Sequence, residues 1–187
     1  HPHALAEYGR FLIARKRYAH ATVKLEQVLR PRPRPDLDPF EPAERADLQR
    51  ALGGALERGG LWERALYLYR SAYALNPSDP RNRISLAVGL CAAGDYAQAI
   101  PLLQPWAAEG VEESVRPEQR ALGLYTLAYA QEQNGLLDDA FAAYTKARAW
   151  ATQAGAKETL GVAEQAKLAL RRLNPNLKEL NSVPEAR

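Results

Sequence analysis

The sequence predicts an all-α protein, a right-handed α-solenoid of four helix pairs with a C-terminal capping helix, and three observations carry that prediction. A large residue followed three positions later by Ala recurs four times, as Tyr18 with Ala21, Trp62 with Ala65, Tyr96 with Ala99 and Leu137 with Ala140, at steps of 44, 34 and 41. Nine positions before each anchor stands a small residue (Gly9, Gly53, Ala87, Ala128), and seven after it a large one (Leu25, Tyr69, Leu103, Tyr144). Gly60, Gly94 and Gly135 precede three of the anchors, where glycine can end a helix. Apolar residues spaced by three and four on both sides of these turns mean antiparallel helix pairs. A short pair cannot bury both its faces alone, so the pairs must stack and leave a concave and a convex side. Small residues let helix axes approach, and the anchor Tyr and Trp residues are expected to fill the wider gaps between layers.

The elements follow in order. The first pair occupies about residues 4–34 and runs into a Pro-rich insertion, 31–42, that holds five of the 13 prolines. Proline removes amide donors and fixes φ, so this stretch reads as an extended linker, with a Pro/Arg docking segment anchored by Phe40 as the alternative. The second pair spans about 43–79 and the third 80–110. Pro101 and Pro105 fall within the third pair's second helix and are expected to kink or shorten it near Pro105. A second insertion, Glu109 to Pro117, leads to the fourth pair, 117–152, with Pro117 suited to a helix's first turn. An amphipathic stretch over 156–173 reads as a capping helix, and 174–187 as a polar tail.

Composition sets the outer bounds. With 187 residues, 47% hydrophobic and 25% charged, the chain is neither disordered nor fibrous, and one Cys cannot close an intrachain bridge. Both cytoplasm and periplasm accept such a chain. Net charge is only +3, so no nucleic-acid partner follows, although a pI near 9.0 suggests local basic patches. No apolar run reaches the roughly 20 residues of a membrane span, and a soluble protein without direct membrane insertion is expected. With His1 first and no Met, the chain reads as part of something longer; its richness in Ala, Arg and Leu is of bacterial type.

The repeated positions resemble the tetratricopeptide repeat (TPR) family. The second unit reads Leu52, Gly53, Leu56, Gly60, Trp62, Ala65, Tyr69, Ala72 and Pro77; the first, Leu5, Tyr8, Gly9, Leu12, Tyr18, Ala21, Leu25, Val28 and Pro33. The third keeps Leu86, Ala87, Leu90, Gly94, Tyr96, Ala99 and Leu103 but has Trp106 where a small residue is usual. The fourth keeps Leu124, Leu127, Ala128, Gly135, Leu137, Ala140, Tyr144 and Ala147. The likeness covers most of residues 4–152 and implies a scaffold that binds a partner in its groove. The family's chaperone-tail receptors clamp a terminal carboxylate with Lys and Asn. Here those places hold Ala6, Arg10, Arg50, Gly54, Ile84 and Val88, so that clamp is missing.

Catalytic candidates are few. His1 and His3 read as solvated side chains, His20 lies between two alanines on a helix, and Cys91 reads as a small packing residue without a histidine nearby. The run from Gly53 to Gly60 lacks the Gly-Lys-Ser/Thr ending of a phosphate loop. Glu112-Glu113 and Asp138-Asp139 fit loops or helix starts. No enzyme, metal or cofactor is expected.

Binding candidates come from the first helix of each pair. Arg10, Arg50, Arg58 and Arg81 offer pairing to peptide carboxylates, or are plain solvated charges. Ile84, Val88, Tyr125 and Tyr129 are expected to form an exposed apolar strip. The leading expectation is a non-catalytic scaffold holding a peptide or helical segment of another protein. Self-association is the alternative. RNA binding is disfavoured, because the four sets of groove residues share no base-reading position.

Overall fold

The computed structural model describes residues 1–31, 38–108 and 115–175, with the Glu158 side chain excepted; half of the Pro-rich insertion (32–37), Glu112-Glu113 and the polar tail beyond residue 175 lie outside them. The described residues form nine α-helices and no strand. The chain divides into two compact units, His1–Ala93 and Gly94–Arg187.

The first unit holds α1 (Pro2–Ala14), α2 (Tyr18–Leu29), α3 (Pro42–Arg58), α4 (Trp62–Leu75) and α5 (Pro80–Ala92). Each helix packs on the next, and α3 also touches α1 and α5, so the odd-numbered helices stand side by side. Each of these three opens with proline, which presets φ where the amide has no helical partner. Gly60, at φ +77°, ends α3: its own amide bonds the Glu57 carbonyl and the Leu61 amide bonds the Leu56 carbonyl, a Schellman closure. The turn after α1 closes in the same way with Lys16 at φ +58°, the one non-glycine residue of positive φ among the described residues. The fully buried Asn82 closes α4 by donating to the Asn76 and Ala72 carbonyls at 3.0 and 3.3 Å.

The anchor alanines make the core; of the two anchor aromatics here, Tyr18 packs half-buried against Leu12, Ala21 and Ala55, and Trp62 does not follow it. Ala21 and Ala65 are wholly buried, whereas Trp62 is 43% exposed. Gap filling falls instead to the residue seven positions after each anchor. Leu25 and Tyr69 are buried against glycines whose added Cβ would lie 2.6 Å from the Leu25 side chain (Gly9) and 2.5 Å from the Tyr69 ring (Gly53). The physical reason is direction: the anchor opens its helix at the turn, while a residue two turns on faces the preceding helix. Phe40 is also buried, edge-on to His3 with ring centroids 4.8 Å apart, so it serves its own unit and does not project as a docking anchor. His3, in turn, lies 3.5 Å from Glu44.

The second unit holds α6 (Tyr96–Leu103), α7 (Pro117–Gln133), α8 (Leu137–Ala154) and α9 (Lys157–Leu173). α6 stops at Leu103 and continues as a 3-10 turn over Gln104–Ala107 containing Pro105. That turn carries the buried Trp106 onto Gly123 of α7, where a Cβ would lie 2.2 Å from the indole. The bulky residue at a place for a small one is thus matched by a glycine opposite it. Ala99, Ala140, Leu103 and Tyr144 are buried like their counterparts in the first unit, and Leu137 is 53% exposed like its counterpart Trp62. α9 packs on α8 and α7 through Ala166, Ala169 and Leu170.

Gly123→Ala should therefore destabilise the protein by about 1–3 kcal/mol, since neither indole nor helix backbone can yield 1 Å cheaply. Gly161→Ala meets no atom within 4 Å and serves as the control, with a gain of up to ~1 kcal/mol from helix propensity. Urea unfolding of both variants checks the pair.

Candidate functional site

The odd-numbered helices of the first unit turn one polar face each to an open cavity of about 420 Å³. Arg10 and Ile13 come from α1, and Arg81 and Ser85 from α5. α3 contributes Asp47, Arg50, Ala51, Gly54 and Arg58, a spacing of three, four, seven and eleven that keeps them on one helical face. Tyr18 and Tyr69 complete the wall. All four arginines named from sequence thus line one cavity.

Asp47 organises them. Its carboxylate accepts from Arg10 Nη2 at 2.9 Å and from Arg50, and lies 3.3 Å from Arg81 Nη1. Arg10 also donates to Glu7 at 2.6 Å, and Arg81 donates to Asp79 at 2.7 Å. Three of the four arginines are therefore held charges, not freely solvated ones. Burial raises the Asp79 carboxyl, but bonds from the Arg81 side chain and backbone outweigh it and leave it below the usual carboxylate range. The side-chain bond to Asp79 in turn raises the Arg81 guanidinium, against the lowering effect of burial. The Nε groups of Arg10 and Arg50 are buried without a hydrogen-bond partner among the described residues. Arg58 is exposed and makes no hydrogen bond or ion pair with them.

The expected apolar strip is corrected in part. Ile84 is 5% exposed, because α5 is buried on most of its circumference, and Cys91 is buried with it. Burial pushes the Cys91 thiol up to about 11, away from nucleophile chemistry. Val88 is half-buried. In the second unit Tyr125 is half-buried and edge-on to Tyr144 at 5.5 Å, while Tyr129 is exposed and edge-on to Tyr96 at 6.1 Å. Leu122, also exposed, shares their face of α7.

Sequence reading missed a repeated pair. Tyr69 donates to Glu57 at 2.6 Å and Tyr144 donates to Glu132 at 2.9 Å; Glu132 is also gripped by Arg172 of α9, at 2.6 and 2.7 Å. A Glu five positions before the anchor, coupled to a Tyr seven after it, was the available signal. Among the described residues no group of three or more His, Cys, Asp or Glu could hold a metal ion, and no helix is long and apolar enough to cross a membrane.

Two predictions follow from the charges. Asp47→Ala leaves three guanidiniums crowded without their shared carboxylate; we expect a loss of about 1–3 kcal/mol, smaller in high salt, in chemical denaturation. The Tyr69 and Tyr144 phenols are raised, first by burial and then by the bonds they donate to Glu57 and Glu132. Their stabilisation is complete below pH ~10, the unfolded value, and lost as pH rises above it. Phenolate absorbance should show a component that appears only with unfolding and vanishes in the Tyr69→Phe, Tyr144→Phe double variant.

No protein-family model and no curated protein matches the chain. Among solved structures it is similar to MamA AMB-1, at 21% identity over 92% of this chain and 96% of that one, with a TM-score of 0.58. It is similar also to MamA MSR-1 (23%, 93% and 95%, TM-score 0.59) and to the MamA RS-1 ArsTM double mutant (16%, 95% and 96%, TM-score 0.61). At such identities the likeness concerns architecture alone: the chain has an all-α, helical-repeat fold shared with the MamA structures.

Proposed function

We propose that this chain is a non-catalytic interaction module of TPR type that binds a peptide or helical segment of another protein. The observation that carries the reading is the convergence of Arg10, Arg50, Arg58 and Arg81, from three separate helices, on one open cavity. Charged side chains gathered by distant parts of a sequence around open space suit recognition; a fold needs only their solvation. The face of α7 bearing Leu122, Tyr125 and Tyr129 supplies rigid aromatic area of the kind that anchors partners.

Peptide display against the whole chain tests this. Binders should be recovered, and Arg50→Glu with Arg58→Glu, or Tyr125→Ala with Tyr129→Ala, should weaken them at least tenfold while helicity is retained. Binders indifferent to both double variants would remove the proposed sites.

A further inference from the structure

We propose that the arginine-lined cavity of the first unit takes an acidic peptide segment, with one carboxylate at Arg50 and a second at Arg58. This rests on the reading of the chain as a peptide-binding module and names the chemistry of what it binds.

The arginines are not equivalent. Arg81 has one edge on Asp79 and another nitrogen facing Asp47, and Arg10 is shared between Glu7 and Asp47. Both are committed within the unit. Arg50 hydrogen-bonds Asp47 through one terminal nitrogen only, and Arg58, which feels the Tyr69 phenol electrostatically, makes no hydrogen bond or ion pair within the cavity. The cavity wall carries four arginines and one aspartate; Glu7 and Asp79 beside it neutralise Arg10 and Arg81, and the donors left for an anion lie at Arg50 and Arg58.

These two are eight residues apart on α3, a rise of about 12 Å. One phosphate or one carboxylate engages both only if the two side chains converge on it, whereas two carboxylates meet them where they stand. A peptide supplies two, with acidic residues about four apart if extended or about eight apart if helical. Between the arginines the wall is low. Ala51 and Gly54 occupy it, and a Cβ added at Gly54 would meet only the Tyr69 hydroxyl, 3.8 Å away. A bare stretch of helix flanked by two donors lets a peptide backbone lie close to α3. It also provides a variant that blocks the path and leaves every charge in place.

The test is fluorescence anisotropy of the whole chain with a labelled oligoglutamate of about eight residues, enough to span the two arginines in extended form. We expect binding that weakens steeply with salt, that falls at least tenfold in Arg50→Glu with Arg58→Glu, and that falls about tenfold in Gly54→Leu, with unchanged helicity in each. Pyrophosphate should compete poorly. Absence of binding at low salt, or binding that survives both variants, overturns the proposal, as does pyrophosphate binding without oligoglutamate binding. Display-selected binders that lack acidic residues yet depend on Arg50 and Arg58 would overturn the acidic assignment and leave the module reading standing.

Discussion

The distance between the two helices of a pair is set by a large side chain pressed onto a residue with little or no side chain of its own. Leu25 on Gly9 and Tyr69 on Gly53 leave no room for even a methyl group, and Trp106 does the same to Gly123. Such contacts tie the second helix of a pair to one rotational setting of the first. That setting decides which residues of α1 and α3 turn away from the core, and so which charges reach the cavity. A glycine on one side of a helix thereby controls an arginine on the other.

Charge management is the second layer. A cluster of arginines repels itself, and Asp47 relieves this for three of them, accepting hydrogen bonds from Arg10 and Arg50 and standing at ion-pair distance from Arg81. Partly shielded groups of this kind are stronger partners than fully exposed ones, because water screens them less. Fixing the guanidiniums in advance also lowers the ordering cost of any later encounter. In the second unit Glu132 has the converse part, a carboxylate held by a phenol and an arginine from two different helices.

Much of this was legible in the chain. The anchor pattern marked the helix pairs and their glycine turns, because periodicity and φ requirements act locally. It also drew Arg10, Arg50, Arg58 and Arg81 to one side of their helices. What escaped were contacts between side chains remote in sequence. Nothing local says that Ile84 is covered on a helix buried nearly all round, that Trp62 stays at the surface while Tyr69 goes inside, or that Arg172 reaches back to Glu132. Phe40 looked like bait in a proline-rich stretch, yet His3, 37 positions earlier, is its neighbour.

The hydroxyl-to-carboxylate couples sort the four pairs into two kinds. Tyr69 with Glu57 and Tyr144 with Glu132 are offset by the same 75 positions, as are Gly60 and Gly135. Leu25 and Leu103, which fill the corresponding places in the other two pairs, are offset by 78. At this place odd pairs match odd and even match even, although Gly9 with Gly53 and Ala87 with Ala128 match as neighbours. The two kinds of seam are therefore not interchangeable one residue at a time: a leucine in place of Tyr69 or Tyr144 would strand the glutamate that each phenol serves.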